Sequence, residues 1–538
     1  MDTFDYIIVG AGTAGCVVAR RLADRGRDRL LVLEAGGSDL RFWIQVPIGY
    51  GRTFNDPRVN WMYQSEPDPA LAGRPGFCPR GKVLGGSGSI NAMVYARGLA
   101  RDFDDWAARG NSGWSYREVL PFFLRAEDYY GGASEFHARG GPMHVTDVSS
   151  QAHPLCRVFV DTCAALGYPH SSDFNGGQSE GVGIYDINTR GGMRESTAKR
   201  YLHPVLVSGR LKLRLDAQVL RIRFEGRRAT GVSYRQNNST HEATARKGVI
   251  LCAGAINTPQ LLQLSGVGPA ELLRRHGIQV VADHPAVGRH LQDHVGISNF
   301  YKCRVPTLND ELYSWSGKLW AGLKYVLTRR GPLSLSVNQG GGFVRSDPAL
   351  KFPNLQLYFN PLSYTTAVGP DRRLMNPDPF SAFLLGFNPC RPTSEGRVEI
   401  RSPDPLIAPS IQTGYLSTDH DVADVTAGVR LMRRIAGTAP LSDVIVSEIQ
   451  PGAAKRSDTE LMADFRERAT SVFHVSCTCR MGPDPASSVV DSHLRVHGLD
   501  GLRIVDASVF PTVTSGNTNA PTVMVAEKGS ALIAEDDA

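Results

Sequence analysis

The sequence predicts an α/β fold (α+β overall), with one unit on a parallel sheet and a second on an antiparallel sheet flanked by helices. Three observations predict it. The chain has 538 residues, more than a single hydrophobic core usually serves. Its N-terminus sets an apolar strand, a glycine-rich turn and a helix in direct succession. Its middle holds alternating apolar runs such as Asn354-Leu355-Gln356-Leu357-Tyr358-Phe359, the period of a strand.

Phe4 to Val9 is a short apolar run suited to a buried parallel strand. It meets Gly10-Ala11-Gly12-Thr13-Ala14-Gly15 and then a helical stretch, Cys16 to Arg25. Gly10 permits the tight turn, Gly12 lets the backbone approach a pyrophosphate, and Gly15 lets helix and strand pack closely. The phosphates would sit at the helix N-terminus, where free amides favour negative charge. A second strand, Arg29 to Leu33, ends in Glu34, nineteen residues past Gly15, where a ribose-binding carboxylate belongs. The unit therefore reads as Rossmann-like, and an acid at this place argues against a 2′-phosphate. The motif alone does not separate NAD from FAD.

Composition excludes several classes. Hydrophobic residues at 42% and charged residues at 21% are those of a folded globular chain. The net charge of +6 is spread along the chain, so no nucleic-acid partner is expected. The N-terminus lacks a basic segment followed by an apolar one, and no stretch supplies eighteen uncharged apolar residues. The expected location is cytoplasmic, at most peripheral to the inner membrane, with no transmembrane segment. Nine cysteines, an odd and scattered set, read as reduced thiols. His474-x-x-Cys477-x-Cys479 lacks a fourth ligand and zinc-like spacing, so no metal is expected.

A second glycine-rich loop runs from Cys78-Pro79-Arg80-Gly81-Lys82-Val83 through Leu84-Gly85-Gly86-Ser87-Gly88-Ser89 to Ile90-Asn91-Ala92-Met93-Val94-Tyr95. It offers unencumbered amides for a second anionic surface. Here the sequence resembles the glucose-methanol-choline (GMC) oxidoreductases, in which this loop covers the flavin and pyrophosphate of FAD. Three further blocks agree: Leu251 to Gly268, Val287-Gly288-Arg289-His290-Leu291-Gln292-Asp293-His294, and His474 to Ala526. The resemblance implies that Gly10, Gly12, Thr13, Ala14, Gly15, Glu34 and Ala35 hold the ADP half, with Val219 beside the adenine. It implies Gly85, Gly86, Asn91, Ala92, Met93 and Val94 on the flavin side. Ala253, Asp506 and Ala507 would meet the cofactor as well, the last two at the pyrophosphate, and Asn519 with Thr522 the pyrimidine end. Some members attach FAD to a histidine just before the loop's asparagine; Ile90 stands there, so non-covalent FAD is expected. The implied units are an FAD-binding domain of 1–155, 195–300 and 471–538 and a substrate-binding domain of 156–194 and 301–470.

Alcohol oxidation by hydride transfer needs a base for the hydroxyl proton, and histidine suits neutral pH. The stretch His474-Val475-Ser476-Cys477-Thr478-Cys479-Arg480-Met481-Gly482 resembles the family signature His-Pro-x-Gly-Thr-x-x-Met-Gly, departing at Val475 and Cys477. The resemblance makes His474 the base and Asn517 its partner. An asparagine can hydrogen-bond the substrate oxygen but cannot share the proton. His284, His290, His294 and His497 read as structural. Tyr313, Trp315, Trp320 and Tyr358 are candidate pocket aromatics, and a neutral Gln339 argues against choline, whose cation wants a carboxylate or aromatic cage.

The chain looks closest to the family's bacterial alkanol, L-sorbose and choline dehydrogenase-like members. That implies a primary alcohol, aliphatic, aromatic or polyol, oxidised to the aldehyde, with electrons passed to a quinone or artificial acceptor. The alternative is an oxidase using dioxygen, for which Val472 would leave room, and the third reading is a flavin-containing hydroxynitrile lyase. Oligomeric state is not legible in the sequence.

Overall fold

The structure is a computed structural model and describes residues 2–207, 209–365 and 376–537. Along the chain, the elements that build the site begin with strand β1 (Asp2–Val9), helix α1 (Thr13–Asp24) and strand β2 (Leu30–Leu33). Helix α2 (Pro154–Ala165) and strands β3 (Gly181–Ile184), β4 (Leu211–Arg214), β5 (Gln218–Glu225), β6 (Arg228–Gln236) and β7 (Ser239–Leu251) follow. Next come α3 (Gly254–Leu264), β8 (Val295–Cys303), α4 (Trp315–Thr328), β9 (Gly340–Val344), β10 (Leu355–Asn360) and β11 (Ala382–Pro389). The chain closes with α5 (Asp419–Ala436), β12 (Ile445–Gln450), β13 (Thr470–Ser471), β14 (Leu502–Ile504) and α6 (Asn519–Asp536).

The first sheet runs β4-β2-β1-β7-β6-β5. β4, β2, β1 and β7 are parallel neighbours, and β1 and β2 at their centre are apolar and buried on both faces. β5 and β6 continue it as an antiparallel meander. β7 carries two partners on one flank: its first half pairs antiparallel with β6 and its end pairs parallel with β14. The C-terminal segment thus returns to the N-terminal sheet.

The second sheet, β12-β8-β11-β10-β9-β3 with β13 added to β8, is antiparallel throughout. Its central strand β11 is buried along all eight residues, so helices must cover the sheet. α5 packs on β11, and α2 on β9 and β10. α6 lies along α1, and buried Glu527 at their contact accepts two hydrogen bonds from Arg21 (2.6 and 2.8 Å) and one from Tyr201 (2.7 Å). No helix among the described residues is long and apolar enough to cross a membrane.

Candidate active site

A cavity of about 580 Å³ lies between the two sheets. Every residue assigned above to FAD or to catalysis lines it except Gly15 and Gly85. Those two act by close packing. A Cβ on Gly15 would run into the Gly10 carbonyl, and one on Gly85, at φ +84°, into the Ser89 hydroxyl. Gly85 therefore shapes the second loop and does not line the cavity, in contrast to the flavin-side place that the resemblance implies for it.

The two glycine-rich loops are built against one another. Gly10 turns at φ +94°, and a Cβ there would meet the Cys252 carbonyl oxygen at 2.6 Å. Gly85 N–H donates to the Ala11 carbonyl (2.7 Å), and a Cβ on Gly86 would lie 2.7 Å from Gly12 Cα. Both α1 and α6 present their N-termini here, tied by Thr13 Oγ1 donating to Asn519 Oδ1 (2.9 Å). Free N-terminal amides suit a pyrophosphate. Glu34 accepts from the backbone N–H groups of Ala11 (2.9 Å) and Gly36 (2.8 Å). Burial nevertheless pushes its carboxyl up to about 7. Asp506 accepts from Gly254 N (2.9 Å), Thr258 Oγ1 (2.7 Å) and Ser508 N (2.8 Å), and so fixes the start of α3. A glycine-lined cradle, two helix N-termini and a ribose-side carboxylate in one continuous cavity fit FAD. The structure gives Ile90, buried and lining the cavity, no nucleophile to offer.

At the other end of the cavity stand His474 and Asn517. Backbone and side-chain bonds position His474 from several sides. Phe473, immediately before it, sits at φ +73°, a conformation non-glycine residues adopt only when held. It is held by Arg80 donating to the Phe473 carbonyl (2.7 Å) and by Phe473 N–H donating to Ser471 Oγ (2.8 Å). His474 N–H donates to Asp293 Oδ1 (2.7 Å), while Asp293 Oδ2 accepts from Tyr415 and Ser471 hydroxyls.

The side-chain network assigns the tautomer. His294 Nε2 faces the Cys390 carbonyl at 2.9 Å, an acceptor only, so Nε2 carries the proton and His294 Nδ1 is an acceptor. His294 Nδ1 lies 2.9 Å from His474 Nδ1, which must therefore be the donor. His474 Nε2 keeps a lone pair. From the other side, the Tyr358 hydroxyl donates to Gln356 Oε1 (2.8 Å) and Gln356 Nε2 to Asn517 Oδ1 (3.2 Å). That turns Asn517 Nδ2 towards His474 Nε2 at 3.2 Å. Burial, then neighbouring His294 and Arg80, hold the His474 pKa well below 6.5. The arrangement can take up a proton at Nε2 and hold an oxygen with Asn517.

Several expectations are corrected here. His294 does not merely fill structure; it is the second contact of the His474 ring. The Asp293-His294 pair ends the Val287–His294 block, and that adjacency was the available signal. Gln339 lies outside the cavity, its Oε1 accepting from His153 N–H (2.8 Å), so it says nothing about substrate charge. Of the four candidate aromatics only Tyr358 lines the cavity; Tyr313, Trp315 and Trp320 are exposed at 51%, 78% and 68%. Phe54, Phe300 and Tyr364 supply aromatic wall instead, spaced too irregularly along the chain to be recognised. Cys477, which could have suggested a metal ligand, donates to Gln292 and Ser476.

Family models described as GMC oxidoreductase match residues 4–296 and 392–526. The chain is 41% identical over 535 residues to an oxygen-dependent choline dehydrogenase of Vibrio vulnificus (strain YJ016), covering 98% of this chain and 94% of that one. It is 40% identical over 539 residues to an alcohol dehydrogenase [acceptor] of Pseudomonas putida, covering 98% and 95%. Among solved structures, pyridoxine 4-oxidase from Mesorbium loti superposes with a TM-score of 0.88 at 29% identity, over 99% of both chains.

Proposed function

The chain belongs to the GMC oxidoreductases, FAD-dependent enzymes acting on CH–OH donors, and from that premise we propose that it oxidises an uncharged primary alcohol to the aldehyde with His474 as the base. The observation that carries the proposal is His474 Nε2, held as an acceptor on the cavity wall, whose lone pair Asn517 Nδ2 occupies until a substrate hydroxyl takes its place. Nε2 takes the hydroxyl proton, and an alkoxide gives up hydride more readily than an alcohol does. Asn517 Nδ2 donates to the same oxygen. The second ring proton stays on Nδ1, held by His294, so the imidazolium formed is stabilised without moving. FAD, when bound, supplies the hydride acceptor.

The cofactor-binding roles follow the same reading. Gly10, Gly12, Thr13, Ala14, Asp506 and Ala507 would surround the pyrophosphate, Glu34, Ala35 and Val219 the adenosine, and Gly86, Asn91 to Val94, Asn519 and Thr522 the flavin. Ile90 supports non-covalent attachment; acid precipitation should release all yellow colour into the supernatant.

The electrostatics of the substrate end favour a neutral substrate. Arg80 and Arg468 line the cavity, Arg468 in a salt bridge with Asp464, and the carboxylates lining it among the described residues, Glu34 and Asp506, belong to the cofactor cradle. A quaternary ammonium would meet the Arg80 guanidinium there, although Tyr358, Phe54 and Phe300 give it aromatic faces. Choline, suggested by several relatives, is therefore the second reading. We place electron transfer to a quinone-type acceptor first; the Pseudomonas relative's name specifies only an acceptor, and the Vibrio relative is named oxygen-dependent. The oxygen alternative keeps the support of Val472, which lines the cavity.

The test is anaerobic stopped-flow mixing with primary alkanols, aryl alcohols, polyols and choline, followed by air. Bleaching by uncharged alcohols that persists until a quinone is added supports the proposal. Rapid return of colour in air makes the enzyme an oxidase, bleaching by choline alone overturns the neutral substrate, and no bleaching leaves the lyase reading.

A further inference from the structure

Helix α4 is built inside out. Only Ala321 and Tyr325 of its fourteen residues are buried, one seam on one face. Trp315, Leu319, Trp320, Leu323, Val326 and Leu327 are exposed at 46–78%. At about 100° per residue these six fill an arc of roughly 140°, centred about opposite the buried seam. Lys324 lies roughly 40° beyond one edge of that arc and Lys318 roughly 60° beyond the other, and exposed Ser316 is the single polar residue inside it. A helix on a water-facing surface carries polar residues in this arc, so the apolar face needs a cover.

The charge pattern identifies it. From Tyr313 to Arg330 the chain has Lys318, Lys324, Arg329 and Arg330 and no acidic residue. The occupant is therefore apolar and negatively charged at its boundary. Two copies meeting symmetrically through α4 would set these cations against their own kind. We infer that α4 docks in the plane of an anionic lipid surface, its tryptophans and leucines in the headgroup–acyl boundary and its lysines at the phosphates. The helix does not span the bilayer.

The docked face also lies close to the chemistry. Ala321 and Tyr325 pack in one cluster with Tyr50, Phe300, Val337 and Tyr364, all of which line the cavity. Docking would bring that wall towards the bilayer, a placement suited to an apolar alcohol or a lipid-soluble acceptor. That fit rests on the function proposed above; the docking does not.

The test is co-sedimentation of the flavin-loaded enzyme with vesicles of phosphatidylcholine, with and without phosphatidylglycerol, alongside analytical ultracentrifugation. The enzyme should pellet with phosphatidylglycerol vesicles, with a blue shift of tryptophan emission. Trp315→Ser combined with Trp320→Ser should lower binding by about tenfold or more, and Lys318→Glu with Lys324→Glu should weaken binding and flatten its salt dependence. Both variants should retain wild-type turnover of a soluble alcohol with a soluble dye, which separates a failed docking from a failed enzyme. Absence of vesicle binding, or binding untouched by either variant, overturns the inference. So does a dimer that the tryptophan variant dissociates without any vesicle binding, which would assign the face to a second copy.

Discussion

His474 acts through the two side chains that fix its ring, and its neighbours can be tested apart from it. His474→Ala is expected to leave a folded yellow protein whose flavin reduction is slowed at least ~10²-fold, the scale of losing a general base. His294→Ala removes the acceptor for His474 Nδ1–H and frees the ring to take the other tautomer. Reduction should slow by about tenfold, with partial recovery in His294→Asn, which can still accept. Wild-type rates in His294→Ala would refute its positioning role. The pH dependence has a definite sign. Because burial lowers the His474 pKa, the base is already neutral at pH 7. The acid limb of kcat/KM should then lie below 6.5; a limb centred above 6.5 would exclude this histidine as measured.

At the scale of elements, the cofactor cradle depends on contacts between turns and helix ends. Gly10→Ala would force a Cβ to 2.6 Å from the Cys252 carbonyl at a φ of +94°. It should cost about 1–3 kcal/mol and FAD content with it, read as the flavin-to-protein absorbance ratio of the purified enzyme. The α1–α6 pairing rests on Glu527, fully buried between Arg21, Arg125 and Tyr201. Glu527→Leu strands two cations beside an apolar group and should lower unfolding free energy by ~3 kcal/mol in urea titration. These two helices come from opposite ends of the chain, so that loss should also loosen the cavity between their N-termini.

Over the whole molecule, the buried histidines divide: His137, between Glu127 and Asp173, is raised to about 9 and favours the fold in acid, whereas three others oppose it. Burial lowers His474 and His294, and it lowers His284 to about 4. Each favours the neutral ring in the fold, so the unfolded chain binds more protons below pH 6.5. The stability these three rings contribute is complete above 6.5 and declines as pH falls through the folded values. His284 alone accounts for roughly 3 kcal/mol of this. His284→Gln should therefore make Tm fall less between pH 6.5 and 4.5 than it does in the wild type; an unchanged difference would contradict it. The two-sheet architecture also supports the two units read from the sequence, which we retain as a proposal, with β8 starting the second sheet at Val295.

The sequence by itself determined what is local or fixed by steric necessity. The β1–glycine–α1 unit follows from apolar periodicity and from turns that exclude a Cβ, and the second glycine loop and the His474 stretch are contiguous text. Spacing to Glu34 added the ribose-side acid. Tertiary structure alone decided what depends on residues far apart in sequence. It brought His294 to His474 across 180 positions and Gln356 to Asn517 across 161. It withdrew Gln339 from the cavity and turned Trp315 and Trp320 outward. A side chain's role in such places depends on which atom faces it, and strand pairing and helix rotation fix that only when the whole chain has packed.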